Sequence, residues 1–160
     1  RRTADTGERL RIMKAFDLNA VAGFDQIGVA VRDVDATARF LHDAFGITLA
    51  VFTAPEAKAV LRGREVTFTA RIGIGKVGAL DLECVEILAG EHIIRECIDR
   101  RGPGLHHLGL YVHDLETAVA AWEAKGGRIV QRTLHPSGYG TVYLDTETPL
   151  GTFYVELTRV

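Results

Sequence analysis

Gln26–Gly46 reads QIGVAVRDVDATARFLHDAFG, and His107–Gly127 reads HLGLYVHDLETAVAAWEAKGG. Laid over one another at a constant offset of 81 positions, they place Gly28 on Gly109, Val31 on Val112 and Asp33 on Asp114. The chain repeats itself. Each copy begins as a strand, since Ile27, Val29 and Val31, like Leu108, Leu110 and Val112, recur with period two. Each continues as a helix. Asp33 and Asp114 stand where a side-chain oxygen caps orphan N–H groups, and a glycine stop follows at Gly46 or Gly126. Between cap and stop, Ala36, Phe40 and Phe45, or Leu115, Val119 and Trp122, keep helical spacing, so Phe40, Phe45 and Trp122 are expected in the core.

Outward from the repeat, three β-like stretches follow each helix: Ile47–Thr53, Glu65–Ile72 and Ala79–Leu88, then Arg128–Arg132, Gly140–Asp145 and Gly151–Thr158. The order is βαβββ twice, an α+β chain. Residues 1–23 form an N-terminal arm with a helical pattern at Leu10, Met13 and Phe16. Residues 24–90 are the first module and 105–160 the second. Residues 91–104 link them through a short helix that uses Ile93, Ile94, Cys97 and Ile98 and closes at Gly102-Pro103-Gly104. Gly73-Ile74-Gly75 and Ser137-Gly138-Tyr139-Gly140 read as turns or loops; neither opens a helix, as a phosphate-binding glycine loop would.

Length and charge restrict the function. The 160 residues suit one domain. Nineteen Lys and Arg against 21 Asp and Glu leave a net charge of −2, which argues against nucleic acid or an anionic membrane as partner. With 47% hydrophobic and 25% charged residues the composition is that of a soluble globular protein. Cys84 and Cys97 lack CxxC spacing, which signals neither a disulfide framework nor a cysteine zinc site and fits a reducing compartment. No apolar run approaches a bilayer span, and the expected location is the cytoplasm.

Four polar residues stand on strands that should be apolar. Gln26 and His107 open the first strands of the two copies, and Glu86 and Glu156 lie in the last strands among apolar neighbours. Pseudo-twofold packing would bring all four to one cavity, where unpaired carboxylates are costly and a divalent cation removes the cost.

The stretches Phe24–Val31, Gly102–Gly109 and Gly151–Leu157 resemble the vicinal oxygen chelate superfamily, over about Phe24 to the C-terminus. The run from Ile98 to Leu108, with its Gly-Pro-Gly and double His, is most similar to methylmalonyl-CoA epimerases within it. The resemblance implies tandem βαβββ modules forming a curved, open, barrel-like sheet around a central metal cavity. It puts Gln26, Glu86, His107 and Glu156 on the four ligand positions, a set that also resembles the site of glyoxalase I. Such N and O donors suit Mn, Co, Ni or Zn with positions open to a small carbonyl substrate, such as a CoA thioester or an α-hydroxy carbonyl. The implied enzyme is an epimerase, isomerase or lyase working through a metal-stabilised enolate, with Glu156 first and Glu86 second as catalytic base.

One departure bears on the chemistry. Epimerases of the family carry a further glutamate about where Thr67 stands, and Thr67 cannot act as a second base; Glu65 lies two residues away on the same strand face. Tyr139, Tyr143 and His135, from a loop and strand near the cavity mouth, are substrate-contact candidates, as is Thr67. His106 should point away from His107 by strand alternation, and His92 and His113 read as exposed. Two alternatives are a non-haem iron extradiol dioxygenase, whose two-His-one-carboxylate site Gln26 and Glu86 disfavour, and a metal-free, antibiotic-sequestering protein, which lacks the ligands. Superfamily members often pair modules between chains, so a homodimer is expected.

Overall fold

A computed structural model describes residues 17–134, 139–151 and 153–160. The pattern at Leu10, Met13 and Phe16, and the candidate His135, lie outside the described residues. The first copy opens with β1 (Gln26–Ala30) and passes into α1 (Val34–Phe45). The helix starts where the Asp33 carboxylate accepts the Ala36 N–H, and it stops at Gly46, whose φ of 70° is left-handed. Then come β2 (Ala50–Thr53), β3 (Ala57–Leu61), β4 (Arg64–Val77) and β5 (Leu80–Gly90). The first module thus has one more strand than the sequence suggests. Pro55, with no N–H to donate, sits in the gap between β2 and β3, which both pair with the long β4. Gly73 and Gly75 are mid-strand in β4 and not in a turn. A Cβ on Gly75 would meet the Thr48 carbonyl oxygen at 2.5 Å, so glycine lets the two backbones approach.

The linker forms α2 (Ile93–Arg101), and the second copy follows as β6 (Gly104–Val112), α3 (Leu115–Glu123), β7 (Ile129–Leu134), β8 (Gly140–Leu144), a one-turn α4 (Glu147–Leu150) and β9 (Tyr154–Arg159). The sheet order is β2-β4-β3-β7-β8-β9-β6-β1-β5, and β4 also pairs with β5. That last pairing closes eight strands into a barrel-like ring, more complete than the open sheet expected, with β2 added along β4. The halves join twice, at antiparallel β1–β6 and antiparallel β3–β7.

Helices α1 and α3 pack outside the ring. Val31, Val34, Leu49 and Cys84 form one core there, and Leu110, Leu115, Ala118 and Leu157 belong to the other. By contrast α2 packs against the inward residues of the ring. Ile93 and Cys97 meet Ala59, Leu61 and Val66, and Ile94 meets Ala30, Ala70 and Val85. Trp122 packs against the α3 core, its indole N–H donating to the Arg128 carbonyl. Phe40 and Phe45 do not join the core: they are 62% and 66% exposed and rest edge-to-face on one another. Val34, the only fully buried residue of α1, shows that the contact face runs along a different stripe. Among the described residues no helix is long and apolar enough to cross a membrane.

Candidate metal centre

Strand register decides which side chains meet. Gly28 of β1 stands beside Glu83 of β5 on one side and His107 of β6 on the other. Gly109 of β6 stands beside Gln26 on one side and Glu156 of β9 on the other. The two halves therefore present the same construction, a glycine flanked by a glutamate and by the other half's opening polar residue. The glycines are required by it. A Cβ at Gly28 would lie 1.9 Å from the His107 ring, and one at Gly109 would lie 2.7 Å from Gln26 Oε1.

Glu83, His107 and Glu156 each offer a donor atom within 4.8 Å of the others. His107 Nε2 lies 3.3 Å from Glu83 Oε2 and 3.3 Å from Glu156 Oε2. Neither contact is aligned as a hydrogen bond, so this fully buried nitrogen has no hydrogen-bond partner among the described residues. Gln26 Oε1 is likewise buried and unpartnered. Two carboxylates together with an unpartnered imidazole nitrogen and an unpartnered amide oxygen in an interior are the donors a borderline or hard divalent ion takes. The residues fit a metal.

Glu86 is elsewhere. Three residues from Glu83, it faces the opposite side of β5, where its Oε2 accepts the Val34 N–H at 3.0 Å and satisfies an orphan amide at the start of α1. Sequence reasoning named Glu86 because its apolar neighbours match those of Glu156. The register with Gly28, which singles out Glu83, needs the strand pairing.

His106 also departs from expectation. The β1–β6 ladder shifts between Gly28 and Val29, which pair with His107 and Leu105, so His106 is the extra residue of a β-bulge. It turns inward instead of alternating outward. Both histidines are fully buried, their Nδ1 atoms 3.0 Å apart, and both rings lie against Tyr143 at 5.4 Å between centroids.

A cavity of about 70 Å³ opens beside the cage, lined by Glu83, Glu156, Tyr139, Tyr143, His92 and, from β4, Phe68 with Ala70 and Ile72. Thr67 does not reach it. Alternation turns Thr67 outward with Glu65, into a separate surface cavity of about 690 Å³ that also holds Lys58 and Arg132. The residues β4 presents to the cage are apolar, so neither Thr67 nor Glu65 stands in for a second carboxylate. His92, expected at the surface, is 4% exposed, whereas His113 is exposed.

Electrostatics follow from the enclosure. Burial, with Glu83 nearby, raises the Glu156 carboxyl to about 7 against the pull of His107 and a hydrogen bond from Tyr143. Burial disfavours charge on His107 as well, yet Glu156 and Glu83 hold its pKa above the ordinary imidazole value. Burial drives His106 well below that value and takes His92 to about 3. Burial and the same two glutamates raise the Tyr143 hydroxyl well above the usual phenol range.

Comparison with known proteins agrees with this architecture. The Mycobacterium tuberculosis methylmalonyl-CoA epimerase superposes with a TM-score of 0.63 at 22% identity, over 86% of this chain and 87% of that one. A Streptomyces coelicolor methylmalonyl-CoA epimerase variant in complex with 2-nitronate-propionyl-CoA gives 0.64 at 20% identity, over 85% and 92%. A hypothetical protein from Bacillus halodurans C-125 gives 0.64 at 20%, over 86% and 94%. No curated protein sequence matches the chain. The profile of the glyoxalase/bleomycin resistance protein/dioxygenase superfamily matches residues 25–143, and the chain belongs to that superfamily.

Proposed function

We propose that this chain is a divalent-metal-dependent isomerase, epimerase or lyase that acts on a small carbonyl substrate by removing a proton α to the carbonyl. The observation that carries the reading is the buried cluster of Glu83, His107 and Glu156, with the His107 Nε2 and Gln26 Oε1 atoms unpartnered. Gln26, Glu83, His107 and Glu156 would hold Co, Ni, Zn or Mn. Bound there, such an ion supplies Lewis acidity to a substrate oxygen.

The remaining work falls to the chain. Glu156, a buried carboxylate that lines the cavity, is placed to take a carbon-bound proton and return it. Tyr143 donates its hydroxyl hydrogen to that carboxylate and so fixes its orientation. Phe68, Ala70 and Ile72 make the facing wall apolar, so it offers no competing base. With no carboxylate on that wall, proton return on the opposite face falls to a hydroxyl or water, and one-carboxylate isomerisation or elimination fits better than two-carboxylate epimerisation. The similar epimerase structures, one with a CoA ligand, support a CoA thioester as a substrate to try beside α-hydroxy carbonyls. A homodimer is the proposed assembly. A dioxygenase site would need two histidines and one carboxylate, where this cluster holds one histidine and two carboxylates.

Protein purified without chelator should contain a divalent metal and should exchange the α-proton of methylmalonyl-CoA or of an α-hydroxy ketone with deuterated solvent. Exchange should vanish in Glu156→Gln and on treatment with EDTA. Failure of every such substrate to exchange with metal-loaded protein would defeat the reading.

A further inference from the structure

Among the polar side chains that line the cavity without serving the cage or the base, His92 is the imidazole. His92 precedes α2 with extended backbone, and its Nδ1 accepts the Ile94 N–H at 3.1 Å. The neighbouring Ile93 N–H is taken by Gln131 Oε1 at 2.9 Å, so both leading amides of this buried helix start are satisfied. The consequence for the ring is chemical. A neutral imidazole has one N–H and one lone pair, and the Ile94 amide occupies the lone pair of Nδ1, so the hydrogen resides on Nε2. The ring is clamped in place, 4.4 Å from Phe68 and 5.8 Å from Tyr143 between centroids, and it lines the cavity shared by Glu83 and Glu156. With its pKa taken down to about 3 by burial, the ring stays uncharged at physiological pH.

We infer that His92 donates its Nε2–H to a substrate oxygen in this cavity, the carbonyl oxygen on which charge develops when the α-proton leaves. The inference rests on the enolate reading above and adds the group that recognises the oxygen. The Cα–H electron pair becomes the C=C bond of the enolate, the carbonyl π pair moves to oxygen, and the proton goes to the Glu156 carboxylate. His92 keeps its own hydrogen throughout and only hydrogen-bonds, so no further acid is consumed. A neutral donor strengthens its bond as the oxygen gains charge, and in a dry site that difference favours the transition state over the bound ground state. The acceptor-only carboxylates of Glu83 and Glu156 cannot fill this role.

Nitrogen-15 NMR of the imidazoles, with oxalate as a planar mimic of a small enolate, tests the inference on zinc-loaded protein. His92 should show the Nε2–H tautomer before oxalate is added, and its N–H resonance should move downfield on addition. His92→Asn keeps an acceptor for the Ile94 N–H but is too short to reach into the cavity. It should retain zinc affinity within about twofold and lose oxalate affinity at least tenfold; His92→Phe should lose oxalate affinity as much and also destabilise the helix start. An Nδ1–H tautomer, an unmoved resonance, or an oxalate affinity in His92→Asn within twofold of the parent would overturn the inference. Solvent exchange on thioesters is read separately, so failure of enolate chemistry and failure of the His92 contact give different results.

Discussion

Glu83 and Glu86 carry the same functional group three residues apart on one strand and do opposite work. Glu83 shares the cage with His107 and Glu156, whereas Glu86 serves the start of α1. Glu83→Gln should therefore weaken zinc or cobalt binding by roughly 10-fold or more, since even a residue one contact removed from a metal is worth about that. Glu86→Gln should leave metal affinity intact and cost about 1 kcal/mol of stability from a weakened bond to the Val34 N–H. Competition with a chromogenic chelator and urea unfolding separate the two. The buried titratable groups set a pH signature in metal-free protein. His92 and His106 are held neutral when folded, so below about pH 6.5 the unfolded chain binds more protons and stability climbs with pH. Glu156 and His107 act in the other sense. Their folded pKa values are raised, so their contribution is complete below the unfolded values and is lost as pH rises through about 7. Thermal melts in EDTA should peak at roughly pH 6–7, the interval between these two opposing sets. Added divalent metal, which binds the deprotonated donors, should remove the decline above 7.

At the scale of elements, the cage depends on how closely β1 and β6 approach. Gly28→Ala places a methyl group inside the volume of a fully buried His107 ring that has no room to retreat, and it should abolish metal binding and cost about 3 kcal/mol or more from overpacking. Gly109→Ala meets Gln26 Oε1 at 2.7 Å, which can swing aside, but also Gln26 Cβ at 2.8 Å, which moves only with its strand, so it should weaken binding and destabilise the fold, though less than Gly28→Ala. Calorimetric titration with zinc and urea midpoints distinguish them. These two strands were the legible part of the sequence. The offset of 81 aligns Gln26 with His107 and Gly28 with Gly109, and the structure uses all four in equivalent places. The offset does not carry through the modules: Glu83 and Glu156 are 73 positions apart, because the first module fits both β2 and β3 against a long β4. A strand's inner face is fixed by its partner's register, and the apolar flanks of Glu86 match those of Glu156 without sharing that register. The bulge at His106 escapes the sequence for a related reason, since period-two reading assumes an unbroken ladder. His92 was hidden because burial at a helix start depends on what the helix packs into, and α2 packs into the ring.

For the whole molecule, closure decides where the site belongs. Had the sheet remained open, unpaired edges of β1 and β6 would have invited a second chain, the physical basis for expecting a dimer. Instead β1 and β6 pair within one chain, β4 and β5 complete the ring, and the glutamates come from β5 and β9 of that same chain. Among the described residues the remaining edge belongs to β2, which pairs with β4 and contributes nothing to the cage. Metal binding and self-association should therefore be independent. Native mass spectrometry of zinc-loaded protein, diluted until any dimer dissociates, should show one ion per single chain, with a zinc affinity that does not change with protein concentration. An affinity that collapses on dilution would mean that a partner chain completes the ligand set, which a ring closed around Glu83, His107 and Glu156 leaves no need for.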